Sequence, residues 1–298
     1  MILARYSPFK QVVRAYATLI GIGDDIRRLS NIRDGLASIE RSIDHLADVV
    51  TPPAPVVVEV PAPKREIDIH EISGFRLLLD DSSIVDHMVI HTGEWEGATV
   101  RHLMRLAEAF RGKPDAVFLD LGSYWGYYTC MMHSTGIFPV IHAVDADRYN
   151  FAQLQANIFL NKLDDVVTAH HGAISDAPGV LMMQSSHSHA DKNRGATRIV
   201  SPDERDATAR PVKSFAVDDV FTFRGAHIAI KMDVEGHEDK ALLGMRKLIE
   251  SNHIILQIEL YRASSDPVFD LLRDMGLRQI GDMAPDFFFT NLPDDPVR

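Results

Sequence analysis

This 298-residue chain is short of basic side chains, of cysteine and of long apolar runs. Lys and Arg number 31 against 42 Asp and Glu, a formal net charge of -11, with no clustered basic stripe to offset it. Neutralising phosphates requires a basic surface, so a nucleic-acid partner is not expected. Cys130 is the single cysteine, so an intramolecular disulfide is excluded and a reducing cytoplasm is the simpler setting. The thiol is expected to serve as a small buried hydrophobe in a helix. No apolar run approaches the ~18 to 20 residues that span a bilayer, and Arg14 interrupts the only candidate for a signal sequence. What is present is core material: 46% hydrophobic residues, enough for one large or two ordinary domains.

A further absence is informative in the run Val117 to Cys130, VFLDLGSYWGYYTC. An apolar strand ends in Asp120 and two spaced glycines before a helix begins, but the third glycine of the dinucleotide fingerprint and the G-K-[ST] ending of a P-loop are missing. That disfavours an NAD-dependent oxidoreductase. Gly122 and Gly126 allow a sharp turn and close approach of a ligand to the backbone. S-adenosylmethionine (SAM), with an amino-acid end and an adenosine end but no phosphate, suits such a loop, and Asp120, Ser123 and Tyr128 are expected to contact it.

The next segments extend the pattern. VIHAVDAD (140–147) reads as a second strand ending in Asp145, placed to accept hydrogen bonds from the ribose hydroxyls. RYNFAQLQANIFLNKL carries Phe151, Leu154, Ile158 and Leu163 at near-helical spacing and reads as a crossover helix. VVTAHHGAIS (166–175) supplies a third strand, at whose exit Ala173 and Ile174 would flank the adenine while Asp176 reaches its exocyclic amine. His170 and His171 read as packing residues. In HIAIKMDVEGHEDKALLGMRKL (227–248) a strand runs into Asp233, Glu235 and Gly236, and IILQIEL (254–260) closes on Glu259. Carboxylates on four successive strand ends fall on the side of an open parallel sheet where ligands bind. Asp233 is the first choice for orienting or deprotonating an acceptor, followed by Glu235 and His237. Glu235 reads equally well as a turn residue bonding backbone amides.

IKMDVEGHE followed by LLGM resembles the signature of the FkbM-type SAM-dependent methyltransferases, and the resemblance extends from about Asp86 to Asn291. HTGEWE (91–96) is similar to the family's Gly-x-x-Glu approach to the first strand, which places Glu96 among the cofactor-binding residues. NFAQLQANIFLN and SFAVDDVF agree in order and spacing. Asp145-Ala146 stands where the family more often has Glu-Pro, and His237 where Ala is common. The resemblance implies a doubly wound, mostly parallel α/β sheet of the Rossmann-like class I methyltransferase type. It also implies methylation of a hydroxyl, with a saccharide or glycolipid as the expected acceptor and no metal assigned. Two rivals stay open. One is a divalent metal on Asp233 and neighbouring acids that activates a small-molecule or polyketide acceptor. The other is a scaffold with a vestigial fold, against which the intact Asp120, Gly122, Gly126 and Asp145 set speaks.

Before that domain, Leu29, Ile32, Leu36, Ile39, Ile43, Leu46 and Val50 form an a/d seam, which predicts an α-helical coiled coil and self-association as a homo-oligomer. TPPAPVVVEVPAPK (51–64) reads as a semi-rigid spacer. The expected organisation is therefore 1–50 helical extension, 51–64 linker and 65–298 methyltransferase domain. Residues 1–23 are basic and amphipathic, a composition that can rest on an anionic membrane surface, although packing against a partner or disorder is the stronger expectation. The polar segment 184–198 is expected above the strand ends, where specificity is built. His187, His189 and Asp191 within it could share one face of a strand, but no fourth ligand is indicated and a solvated loop is expected.

Overall fold

The computed structural model describes residues 67–184, 193–201, 204, 206–261, 267–294 and 296. The amphipathic start, the heptad seam, the Pro-rich linker and the His187, His189, Asp191 triplet lie outside the described residues. Among those described, no helix is long and apolar enough to cross a membrane.

Strands β1 (Ile67–Ile72) and β2 (Phe75–Asp80) pair as an antiparallel hairpin that the sequence patterning did not reveal. Its two-residue turn, Ser73 and Gly74, has positive φ at both positions (49° and 85°), the twist that suits a tight hairpin. Helices α1 (Ile84–Thr92) and α2 (Gly97–Ala107) lead into β3 (Ala116–Leu121), α3 (Tyr127–Ser134), β4 (Val140–Asp145), α4 (Arg148–Leu160) and β5 (Val167–His171). Asp147 caps α4 by accepting from the amides of Tyr149 and Asn150.

The expected strand 166–175 is two strands. At Gly172 the chain leaves β5 and enters β6 (Ala173–Ile174), which pairs with β8 (Arg210–Phe215) and, through it, with β7 (Gly179–Met183). A Cβ at Gly172 would meet the Lys213 carbonyl oxygen at 3.0 Å, so a side chain there would crowd the crossing. Beyond it come β9 (His227–Met232), α5 (Glu238–Leu243), α6 (Arg246–Ser251), β10 (His253–Glu259), α7 (Pro267–Asp274), β11 (Arg278–Met283) and β12 (Asp286–Thr290). Helix α5 ends at Gly244, where a Cβ would lie 1.9 Å from the Ser175 carbonyl oxygen.

The main sheet has the order β11-β12-β10-β9-β3-β4-β5. Strands β10, β9, β3, β4 and β5 are parallel, and β12 and β11 add an antiparallel edge. The chain enters at β3, runs outward to β5, then returns to β9 on the other side. That reversal opens a crevice at the carboxyl ends of β3 and β9. Side chains alternate between two cores: Ala116 and Phe118 pack with Val89, Leu103 and Leu154, while Val117, Leu119 and Leu121 pack with Leu242, Leu248 and Leu272. The sheet is thus covered on both faces and only its ends are open.

Candidate functional site

Asp120, Asp145, Asp233 and Glu259, the four acidic strand ends, all line one cavity at the crevice. The loop after β3 is pinned there by backbone: the amides of Gly122 and Ser123 both donate to the Val144 carbonyl at 2.9 Å. Gly122 and Gly126 have φ of 82° and 92°, as a tight turn requires. The protein itself also closes both positions to a side chain. A Cβ on Gly122 would sit 1.7 Å from the Asp233 carbonyl oxygen, and one on Gly126 would sit 2.7 Å from Leu154 Cδ1.

Asp145 is buried at the end of β4, where Oδ2 accepts from the Tyr124 amide and Oδ1 from the Asp147 amide, both at 2.8 Å. Burial, then the nearby Asp147 charge, holds its pKa well above the usual carboxylate range. Each oxygen keeps a lone pair for a further donor. Asp120 is fully buried; Thr129 donates to Oδ2 at 2.6 Å, and burial raises its pKa against the pull of Lys231. Asp120 Oδ1 and Ser123 Oγ have no partner among the described residues, although both residues line the cavity. An acceptor and a hydroxyl left without partners in one cavity lining fit the zwitterionic amino-acid end of SAM, which brings an ammonium donor and a carboxylate acceptor. Ala173 and Ile174 form a wall with Met183 and Ile199. Asp176 is not part of that lining: its Oδ2 accepts from Lys240 Nζ at 2.9 Å in an exposed ion pair, which lowers its pKa.

Glu96 and Tyr128 meet at the opposite end. The Tyr128 hydroxyl donates to Glu96 Oε2 at 2.9 Å and accepts from Gln257 Nε2 at 2.9 Å, while Gln257 also donates to Asp286 Oδ1. Lys231 is the centre of this cluster. It pairs in register with Asp120 on one side and Gln257 on the other, so all three share one face of the sheet. Its Nζ donates to Asp233 Oδ2 at 2.9 Å and lies 5.1 Å from the Tyr128 ring centroid. Burial alone would lower the lysine pKa; the carboxylates of Asp233, Glu96 and Asp120 outweigh it and raise it. Sequence reasoning passed over Lys231 and Gln257, although a lysine inside the apolar strand HIAIKM was the available signal.

The loop after β9 bears the expected acceptor-side residues. Glu235 lines the cavity with φ 52°, and burial, then the Asp233 charge, pushes its pKa up to about 7. The helix-entry role considered for it belongs to Glu238, whose Oε1 accepts from the Gly236 amide at 2.9 Å. His237 Nε2 lies 3.0 Å from Ser175 Oγ, and burial lowers its pKa. Glu259, hydrogen-bonded to Asp233 and Tyr261, is pushed up to about 9 by burial and then by the Asp233 charge. Among the described residues, no three ligands of this cavity converge within reach of one ion.

A family model, the methyltransferase FkbM domain, matches residues 108–278, more than half of the chain. The chain belongs to the FkbM methyltransferase family. Residues 108–278 thus hold a SAM-dependent methyltransferase domain, as the signature around Asp233 implied. Solved structures that resemble it include an FkbM methyltransferase from Methylobacillus flagellatus, 18% identical with a TM-score of 0.40, covering 69% of this chain and 52% of that one. This FkbM-family chain therefore spans about half the length of that relative. TYW2 from M. jannaschii in complex with AdoMet is 14% identical with a TM-score of 0.39, over 77% of this chain and 85% of that chain. A SAM-dependent methyltransferase from Agrobacterium tumefaciens is 12% identical with a TM-score of 0.42, over 77% and 70%. No curated protein matches the sequence.

Proposed function

We propose that this domain transfers the methyl group of SAM to a hydroxyl of a saccharide or glycolipid. The observation that carries the reading is the acid wall of Asp233, Glu235 and Glu259, two and three strands along the sheet from Asp145. When bound, SAM supplies a methyl on a sulfonium with a good leaving group. Asp145 would hold the ribose hydroxyls, Ala173 and Ile174 the adenine, and Asp120 and Ser123 the amino-acid end.

The chain's own contribution is then alignment and proton removal. Asp233, held by Lys231 and hydrogen-bonded to Glu259, orients the acceptor hydroxyl. Glu235, with a pKa of about 7, is divided between its two protonation states at neutral pH and is the proton acceptor of this scheme. Glu259, pushed up to about 9, carries a proton at neutral pH and keeps the wall from accumulating three negative charges. His237 stays neutral and sets the cavity edge through Ser175. Trp95, Tyr127 and Tyr261, also in the lining, supply apolar faces suited to the C–H faces of a sugar ring. In the same proposal the heptad seam from Leu29 to Val50 provides self-association.

The test is transfer of radiolabelled methyl from SAM into fractionated extract, with chemical identification of the labelled product. A methyl ether on a sugar hydroxyl is the expected result. Label on nitrogen, on carbon or on a protein would overturn the acceptor class, and no transfer together with no SAM binding would revive the scaffold reading.

A further inference from the structure

Away from the cavity, the loop that follows β2 and the helix α1 bring together three side chains that the methyl-transfer reading does not use. His87 and His91 stand four residues apart, hence on one face of α1. Side chains of a helix lean toward its amino terminus, which carries both imidazoles toward Asp81 in the preceding loop. Asp81 Oδ1 lies 2.8 Å from His87 Nδ1 and 3.8 Å from His91 Nε2. The two rings are 4.2 Å apart between centroids, and one ligand atom from each of the three residues lies within 4.8 Å of the others.

We propose that Asp81, His87 and His91 bind a transition-metal ion of the Zn2+ class. Ligands held at the usual Zn–N and Zn–O distances in a tetrahedron are about 3.4 Å apart. Two of the three separations, 2.8 and 3.8 Å, lie on either side of that value and the third is within 4.8 Å, so rotamer adjustments bring the three atoms to that spacing. Two imidazoles and one carboxylate form a borderline donor set that suits Zn2+, Ni2+ or Cu2+ better than Mg2+ or Ca2+. The side chains are 52%, 57% and 33% exposed for His87, His91 and Asp81, which leaves a water-accessible fourth position. The Asp81–His87 hydrogen bond already aims the imidazole, so little ordering cost remains when an ion takes the place of the shared proton.

The location gives the site a consequence. Between the two ligand-bearing stretches α1 carries Val85, which lines the cavity, and Asp86, which bonds Tyr124 and Trp125 of the cofactor loop. An ion bridging the loop to the last turn of α1 stabilises that helix by mass action without entering the catalytic cavity.

The test uses the full chain stripped with chelator and then dialysed. Calorimetric titration with Zn2+, and visible absorption on titration with Co2+, should show one saturable site per chain with the spectrum of a low-coordinate nitrogen and oxygen environment. His87→Ala and His91→Ala should each weaken Zn2+ by at least about tenfold, the scale reached even when groups that merely support a ligand are removed. SAM affinity should be unchanged in both variants, which shows that they fold. Absence of saturable binding overturns the proposal. So does binding that survives the His87→Ala/His91→Ala double substitution, or that is lost instead in His187→Ala/His189→Ala.

Discussion

Arg194 Nη2 lies 3.2 Å from Asp86 Oδ2, an ion pair that spans 108 residues and is buried on both sides. The same carboxylate accepts from the Tyr124 hydroxyl, the Trp125 indole, the Gln153 amide and the Asp80 backbone amide. One group on α1 therefore joins the loop after β3, α4 and the segment whose Asn193, Gly195 and Thr197 line the cavity.

Arg194→Ala removes the cation and leaves four donors in place. Breaking a buried pair costs about 3 to 5 kcal/mol, and the remaining donors set the expectation near the lower bound. Denaturant unfolding should show that loss, and calorimetry should show weaker SAM binding because the roof of the cavity is released. Unchanged SAM affinity in a destabilised Arg194→Ala protein would separate the clamp from the cofactor.

Asp145→Ala should weaken SAM by roughly 1.5 to 3 kcal/mol, the range for hydrogen bonds to a charged group. The loss also includes the Tyr124 and Asp147 amides that Asp145 holds in the loop. Gly122→Ala is expected to be the more damaging change despite its size, because its Cβ would lie 1.7 Å from the Asp233 backbone oxygen. A Gly122→Ala protein with parental melting temperature and SAM affinity would contradict this packing.

Turnover should rise with pH through about 7, as Glu235 loses its proton and becomes able to accept one. Glu235→Gln should lower kcat by ~10²- to 10⁴-fold and abolish that limb, with SAM affinity little changed. Asp233→Asn should also lower turnover more than SAM affinity, but it additionally removes one of the three carboxylates that hold the buried Lys231 ammonium and so reduces stability. A pH profile that stays intact in Glu235→Gln would move the base to Asp233 or His237.

Folding raises the Glu259 pKa from an ordinary 4.5 to about 9, so between those values the native chain holds a proton that the unfolded chain has released. Stability from this group is complete below about pH 4.5 and is lost as pH rises toward 9. Glu259→Gln removes the titration and should flatten the alkaline decline in melting temperature measured without SAM. An identical decline in parent and variant would assign the pH dependence to another group.

Several elements were legible because their signals are local. The apolar strand, the turn glycines and the acidic ends of β3, β4, β9 and β10 stand side by side in the chain, and the structure unites those ends in one cavity. The β1–β2 hairpin and the three-stranded sheet carried weaker signals: β1 exposes most of its residues, and β6 has two residues. Asp176 lies outside the cavity lining, and its partner in space, Lys240, is 64 residues away.

The sequence by itself determined the family, the strand–turn–helix unit around β3 and the set of acids at the strand ends, since hydrophobic period, glycine and residue spacing act over a few positions. Tertiary structure alone decided what each acid became. Lys231 fixes Asp233, Lys240 draws Asp176 to the surface, and burial lifts Glu235 and Glu259 out of the ordinary carboxylate range. Desolvation and charge pairing depend on which distant segments close over a group, and the order of residues along the chain does not record that.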